Sequence, residues 1–282
     1  MNPSKMFSVV QAKNSTPQIP KREYGNHLVL NHTKSRIQDK IEEPSNNLRL
    51  FMNFPDNFNL PLNTAFNQQQ IGSCVANAFA AAVQIHTGNI PSRLYLYYNA
   101  RIGCNICPNN DSGLDLGLGL PLLCSYGLPD ESLFPYIVSQ YSKIPPYKTY
   151  QSRTPQNITY NAIAQTEQAI KNTLYSGNPI IFGIYVYQSF LLRTVERTGI
   201  IPYPNKKKEQ MLGGHCILMV GWTKYNNVEY FIIRNSWGTA WGNTGETRLT
   251  LNNGKNGGYA YIPKTYILDT ILSFNFYALK LE

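Results

Sequence analysis

The sequence predicts an α+β fold in which a helical lobe precedes a β-rich lobe. Between about residues 60 and 150, the apolar segments are rich in Ala and Leu and have helical character. Beyond about residue 160, several short segments are dense in β-branched and aromatic residues, which is typical of strands. Because helices come first and strands second, we expect two lobes that face each other.

Three helices are predicted in the first lobe. The segment 74–86 is Ala-rich and contains neither Gly nor Pro, and Gly88 and Pro91 end it. The segment "SRLYLYYNAR" (92–101) predicts the second helix, and "LDLGLGLPLLCSYG" predicts a weaker third one. A connector rich in Pro and Tyr, roughly residues 135–158, then leads to the second lobe.

One helix and three strands are predicted in the second lobe. The segment "IAQTEQAIKNTLYSG" predicts an amphipathic helix that Gly177 ends. Strands are predicted at 179–187, 215–223 and 229–237. The domain division that follows is a polar N-terminal extension, residues 1–50, and one domain, residues 51–282, with a helical lobe at about 60–150 and a β-rich lobe at about 151–270.

Composition limits the classes of function. The hydrophobic content of 43% and the twenty tyrosines favour a folded chain. The net charge of +9 reflects few acidic residues (16) rather than many basic ones (25), and the densest basic run, "NKKKEQ", is typical of a solvated loop. We therefore expect no nucleic-acid partner. No apolar run reaches the ~18–20 residues of a membrane span, and no signal peptide is seen.

The cysteines indicate a reducing compartment. Five of them are an odd and modest set for a secreted disulfide scaffold; they are Cys74, Cys104, Cys107, Cys124 and Cys216. Cys104 and Cys107 have the Cys-x-x-Cys spacing of half a zinc site, but a second pair of ligands is missing. Plain loop thiols, a disulfide or redox pair, and a structural zinc are the alternatives for this pair. Cys216 is expected in the core, on the opposite strand face from its histidine neighbour.

Cys74 is the candidate nucleophile. A reactive thiol needs a lowered pKa, a base within reach and donors for the developing oxyanion. In "NQQQIGSCVANAFAAA", Cys74 lies where a turn becomes a helix, so unpaired N–H groups and the helix dipole favour its thiolate. Gly72 allows the backbone to approach closely before it. On the cysteine alone, a small buried thiol at a helix start is the alternative.

Of the four histidines, His215 is the candidate base for Cys74. His86 lies on the same predicted helix as Cys74, about 18 Å away, and His27 and His32 lie in the polar extension. His215, in "GGHCILMVGW", opens a predicted strand, and two glycines leave room beside its ring. A hydrogen-bonded core histidine is the alternative reading of this position.

Asn235 and Gln68 complete the candidate set. A hairpin of the last two predicted strands would bring Asn235, in "RNSWGTAWG", alongside His215, where it would hold the imidazole in one tautomer. Gln68 precedes Cys74 by six residues and offers a side-chain donor for an oxyanion beside the Cys74 N–H. The alternative for Asn235 is a turn residue without a catalytic role. The alternative for Gln68 is an ordinary member of a Gln-rich run.

Together these segments resemble the papain, or cathepsin-like, family of cysteine peptidases. The resemblance rests on Gln68, "GSC" with Ala76 after it, "GGH" before apolar residues, and "RNSWGTAWG", with 141 residues from Cys74 to His215 and 161 to Asn235. It is closest to a branch of bacterial and viral members that share roughly "DQG-x-x-GSC-x-AN". The segments "PSRLYLYYNAR" and "TGIIPYPN" resemble that branch too, and the similarity runs over about three quarters of the chain.

The resemblance implies a two-lobed fold with the active-site cleft between the lobes, and neither a cofactor nor a metal. It implies that Cys74 is the nucleophile, His215 the base and acid, Asn235 the residue that orients the imidazole, and Gln68 part of the oxyanion hole. Trp237 would cover the Asn–His pair. The residues that the resemblance assigns to substrate binding are Gly72, Ser73, Gly113, Gly214 and Trp237, with Gly113 in "DSGLDLG" pairing with extended substrate backbone.

Three positions depart from the family's pattern. Val75 follows the nucleophile where the family usually has Trp. Ile71 replaces a cysteine that is usually disulfide-bonded, so that bridge is absent. Glu246 stands where an aromatic residue often follows the last glycine of the Asn motif. None of them removes a chemical role, but they separate this chain from the cathepsins.

The predicted function is cleavage of peptide bonds by a cysteine endopeptidase through an acyl-thioester, with polypeptide as substrate and the protein as a monomer. An isopeptidase or acyl transferase with the same triad, and a non-catalytic structural or binding protein of this fold, are the alternatives. Residues 1–50 would be an inhibitory segment in the cleft, an attached clamp or a disordered tail. Abundant Asn, Tyr, Ile and Lys suggest an AT-rich genome, and the short lobes suit a large DNA virus or a bacterium. A viral protein of this kind would be cytoplasmic or virion-associated.

Overall fold

The fold was obtained as a computed structural model, which describes residues 54–152, 157–243 and 257–281. The predicted N-terminal extension, with His27 and His32, lies outside the described residues, and so does Glu246. Within the described ranges, three long helices are followed by most of an antiparallel sheet, so the predicted α+β class is confirmed.

The helical lobe contains the three predicted helices: α1 Cys74–Thr87, α2 Arg93–Gly103 and α3 Leu116–Ser125. Helix α1 ends at Gly88, whose left-handed φ of 75° suits a residue without a Cβ. The side chains of Ser92 and Asp115 cap α2 and α3 by accepting backbone N–H groups of the first turn. The predicted stop at Gly88 is thus where α1 ends, while the caps at Ser92 and Asp115 fix the starts of α2 and α3.

The remaining helices are short. They are α4 Tyr147–Gln151, α5 Glu167–Tyr175, α6 Arg193–Thr198 and α7 Lys264–Leu268, and single 3₁₀ turns occur at Glu131–Leu133, Val138–Gln140 and Gln188–Leu191. Helix α5 is the predicted amphipathic helix, but it begins later than expected because the Thr166 side chain caps it by accepting the Ala169 N–H.

Within the described ranges, seven strands form one antiparallel sheet. They are β1 Phe58–Asn59, β2 Ile158–Ala162, β3 Ile180–Tyr187, β4 Met211–Tyr225, β5 Val228–Arg234, β6 Tyr259–Pro263 and β7 Ser273–Leu281. Their order is β2–β7–β3–β4–β5–β6, and β1 also pairs with β4. Strand β1 lies before residue 60 and strand β7 extends past residue 270, and both belong to this sheet.

The core lies where α1 packs on the sheet. Ala76, Phe79, Ala80 and Ala82 of α1 are fully buried and belong to one continuous cluster with the inner side chains of β3 and β4. Small alanine side chains allow the helix axis to approach the sheet closely. The first residue of α1 is thereby held against β4, the strand that carries His215. In the part of the chain described here, no helix has both the length and the apolar content to cross a bilayer.

Candidate active site

Cys74 is the first residue of α1, and its thiol is partly buried. The described structure shows no side-chain cap at this helix end and no acidic residue in the first turn. The unpaired N–H groups and the positive end of the helix dipole therefore remain available to an anion at this position. The backbone N–H of Cys216 lies close enough to the thiol to favour its ionised form, so Cys74 is beside the residue that follows His215.

The β4–β5 hairpin brings His215 and Asn235 together. Strand β5 returns antiparallel to β4 with Arg234 opposite Leu218, so Asn235 lies just beyond the last pair. The Nε2 atom of His215 lies 2.7 Å from Oδ1 of Asn235. The same oxygen accepts the backbone N–H of Ser236 at 2.8 Å, which identifies it as the amide oxygen. Because an amide oxygen only accepts, Nε2 carries the proton and Nδ1 is left as the basic nitrogen.

Trp237 covers this pair. Its ring stacks on the His215 imidazole with a centroid distance of 4.9 Å and an interplanar angle of 25°. Phe190 and Trp241 pack edge-on against Trp237 at 5.5 and 5.2 Å. Only 4% of Trp237 and 2% of Asn235 are exposed, so the aromatic cluster keeps water from the His215–Asn235 hydrogen bond.

Gln68 is held by the motif that contains Asn235. Its Oε1 atom accepts the hydroxyl of Ser236 at 2.5 Å, and its backbone N–H donates to the Ser236 carbonyl at 2.7 Å. Its Nε2 atom donates to the carbonyl of Ile71 at 2.9 Å, which directs the amide N–H groups toward the loop before Cys74. The predicted oxyanion donor is therefore buried and fixed in orientation at three of its polar atoms.

The other predicted substrate-binding residues differ in their surroundings. Gly72 and Gly113 lie against each other, and Gly113 has a φ of +83°, with the Gly72 carbonyl oxygen 3.7 Å from where a Cβ would lie. Gly214 lies in β4 opposite Tyr185. Ser73 is fully buried, and its hydroxyl bonds Tyr136 Oη at 2.5 Å and accepts from the Asn77 amide. Any contact of Ser73 with substrate would therefore come from its backbone.

The remaining histidine and thiols lie outside this arrangement. His86 bonds the Leu279 carbonyl of β7 at 3.0 Å, so it faces the sheet and not Cys74. Cys216 is 4% exposed, and Cys104, Cys107 and Cys124 are free thiols. In the three described ranges, no group of three or more His, Cys, Asp or Glu side chains is placed to hold a metal ion.

Several residues that support the site carry no signal strong enough for sequence analysis. Ser236 is part of the Asn motif, but its bond to Gln68 spans 168 residues of sequence. Tyr136 bonds both Ser73 and the Gln68 carbonyl, and Asp111 bonds the Gly72 N–H. Tyr and Asp are common in loops, and only the position of Asp111 two residues before Gly113 could have singled it out.

Comparison with known proteins identifies the family. A family model described as papain family cysteine protease matches residues 56–264, which is most of the chain. The chain belongs to the papain family. A peptidase C1-like protein of Acanthamoeba polyphaga mimivirus is 32% identical over 262 residues, covering 87% of this chain and 77% of the viral protein. Mouse pro-cathepsin H is 30% identical over 199 residues, covering 67% of this chain and 56% of the cathepsin.

Solved structures of the papain family share the fold. Xylellain, a cysteine protease from Xylella fastidiosa, superposes with a TM-score of 0.68 at 33% identity, covering 80% of this chain and 86% of xylellain. A procathepsin L from Tenebrio molitor superposes with a TM-score of 0.58 at 17% identity, which shows the fold alone. The viral and bacterial relatives confirm the predicted branch of the papain family. The protein is accordingly a cysteine-type peptidase that acts on polypeptides.

Proposed function

We propose that the protein is an endopeptidase in which Cys74, His215 and Asn235 form a catalytic triad. The observation that carries this proposal is the 2.7 Å hydrogen bond between His215 Nε2 and Asn235 Oδ1. That bond leaves Nδ1 as the basic nitrogen of His215, and the next residue of β4, Cys216, has its backbone N–H close to the Cys74 thiol. A positioned nucleophile, a base and an orienting group are the three parts that covalent acyl transfer needs.

The proposed reaction has two stages. In the first, His215 Nδ1 takes the thiol proton as Cys74 Sγ attacks the peptide carbonyl carbon, and the carbonyl electrons move to the oxygen. The Cys74 N–H and the Gln68 amide stabilise that oxyanion, and the imidazolium protonates the leaving amine as the C–N bond breaks. In the second, His215 activates a water that cleaves the acyl-thioester and restores the thiol.

Burial opposes charge on either reacting group alone. Burial raises the pKa of the Cys74 thiol above its ordinary value of 9.0, even though backbone N–H groups partly oppose this. Burial also lowers the pKa of His215 to about 4, although the Asn235 hydrogen bond favours the imidazolium. Transfer of the proton from sulfur to nitrogen leaves the pair with no net charge, so each new charge is stabilised by the other.

A wide pH plateau is expected for kcat/KM. The active pair holds one proton, and the two-proton form loses its extra proton from His215 with a pKa of about 4. The first proton can also leave from the thiol, and this second path can only lower the first macroscopic pKa of the pair. In the same way, the second macroscopic pKa cannot lie below the raised pKa of the Cys74 thiol, which is above 9.0. The rate with a neutral peptide should therefore rise through pH 4 or below and fall only above pH 9.0. A rising limb centred near 6.5, the ordinary histidine value, would contradict this protonation scheme.

Covalent labelling tests the proposed function. The full chain is incubated with a peptidyl epoxysuccinate, and the intact mass and the modified peptide are determined. We expect one adduct per chain, on Cys74, and no adduct on the Cys74→Ala variant. Labelling of Cys107, an exposed free thiol, serves as the measure of nonspecific reaction. The proposal fails if the wild-type chain is unlabelled, or if the adduct persists when Cys74 is replaced.

A further inference from the structure

Two loops of the helical lobe meet at Gly72 and Gly113. A Cβ built on Gly72 would lie 2.7 Å from both the Cα and the backbone N of Gly113, and 2.9 Å from Tyr97 Oη. Real Cβ atoms do not approach backbone so closely, so no larger residue fits at Gly72 without moving the Gly113 loop. The loop that presents Cys74 and the loop assigned to substrate backbone are therefore in direct contact.

Asp111 ties these two loops together. One oxygen of its carboxylate, Oδ1, accepts the Gly72 backbone N–H at 2.9 Å and the Tyr97 hydroxyl at 2.6 Å. Hydrogen bonds to an ionised carboxylate are stronger than bonds between neutral groups. Tyr97 is fully buried in α2, so the carboxylate connects both loops to a rigid element.

The tie is noncovalent. Ile71 replaces a cysteine that is usually disulfide-bonded in the papain family, and all five cysteines of this chain are free. The Gly72 N–H lies 39 residues from Asp111 in sequence. The register of the two loops is thus set by contacts between distant segments, of which this carboxylate provides one.

We propose that Asp111 is a positioning residue that sets the distance between the Cys74 loop and the backbone-binding edge at Gly113. This inference rests on the proposed function, since it concerns how a peptide is presented to Cys74. The Gly113 edge holds the peptide while Cys74 attacks it, so the Asp111 tie affects only reactions that use both. A small alkylating reagent needs Cys74 and His215 but not the Gly113 edge.

The charge of Asp111 has a separate effect that the experiment must remove. Burial, and to a smaller extent the Asp111 carboxylate, raises the pKa of Cys74. Replacing Asp111 with either Ala or Asn abolishes that charge. Only Asn keeps an Oδ1 acceptor for the Gly72 N–H and the Tyr97 hydroxyl. The difference between the two variants therefore isolates the hydrogen bonds from the charge.

The experiment compares two reactions of Cys74 in the full chain. For wild type, Asp111→Ala and Asp111→Asn, we would measure kcat/KM with a peptide substrate and the rate of Cys74 alkylation by iodoacetamide, located by peptide mapping. In Asp111→Ala, kcat/KM should fall by roughly 10- to 100-fold, because misplacing bound groups by about 1 Å costs this much. Alkylation should stay within about threefold of wild type or increase, and Asp111→Asn should keep most of the peptide activity.

Matched controls keep the inference falsifiable. Asp130→Asn replaces another carboxylate that accepts a backbone N–H, that of Ser132, and it should leave both reactions unchanged. If Asp111→Ala does not fold, Tyr97→Phe removes one of the two donors and should weaken only the peptide reaction. The inference would be overturned by equal kcat/KM values for Asp111→Ala and Asp111→Asn. Parallel losses of peptide cleavage and of Cys74 alkylation in Asp111→Ala would overturn it as well. Absence of both reactions in wild type would instead refute the proposed function.

Discussion

The His215→Gln variant should lose peptide-cleaving activity by about 10⁴-fold in kcat, the upper end of what a general base contributes. Glutamine can occupy the space beside Asn235 but cannot take a proton from the thiol. Because burial raises the pKa of Cys74, the isolated thiol would stay protonated at neutral pH. Alkylation of Cys74 by iodoacetamide should therefore slow as well. Steady-state kinetics and alkylation rates at pH 7 measure both effects.

A second histidine provides the control for this variant. His86 is partly buried and, like His215, hydrogen-bonded, in its case to the Leu279 carbonyl, but it lies far along α1 from the thiol. His86→Gln should change kcat by less than about twofold once the folded fraction is taken into account. Comparable losses in the two variants would show that loss of fold, and not loss of the base, explains the result for His215.

The Arg101→Met variant should lower the free energy of unfolding by about 3–5 kcal/mol, because several backbone carbonyls lose a charged donor and each unsatisfied buried acceptor costs roughly 1–3 kcal/mol. Arg101 is fully buried in α2. Its guanidinium donates to four backbone carbonyls, those of Tyr97 (3.3 Å), Pro108 (2.7 Å), Asn110 (3.0 Å) and Tyr141 (2.6 Å). Methionine fills similar space and leaves all four acceptors without this donor. Urea unfolding followed by circular dichroism gives the difference.

Two further variants separate the effect of the Arg101 hydrogen bonds from the effect of its charge. Arg101→Lys keeps the charge but cannot reach four carbonyls at once, so we expect a loss of about 2 kcal/mol. Arg193→Met removes an exposed arginine of α6 and should change stability by no more than about 0.5 kcal/mol. If Arg101→Met is as stable as Arg193→Met, the buried guanidinium does not hold the loop that carries Asp111.

Local chemistry made the long elements predictable. The Ala-rich run that Gly88 ends gives α1 within one residue, and the apolar runs give β3, β4 and β5. The strands outside the prediction lack such patterns. Strand β1 has only two residues, β2 is "ITYNA" with a mostly half-buried pattern, and β7 has no regular alternation of burial. Their places are determined by pairing with distant strands, which local sequence does not encode.

The site was predictable where one hairpin supplies its parts. Asn235 follows β5, and His215 lies on β4, so a simple antiparallel pair brings them together. The supports of Gln68 and Gly72 depend instead on Ser236 and Asp111, through contacts between distant segments. Such contacts use ordinary polar residues at unremarkable spacings. For this reason the sequence indicates candidate reacting groups but not what holds them in place.

The place of β7 in the sheet has a consequence for biosynthesis. This strand follows every other element in the described sequence, yet it lies between β2 and β3 in the interior of the sheet. A nascent chain that has not yet released residues 273–281 from the ribosome leaves β3 with an unpaired edge, and β3 is the strand that supports β4 and His215. Cys74 emerges long before that strand. The strand that carries His215 therefore gains its full lateral support only once residues 273–281 can pair with β3.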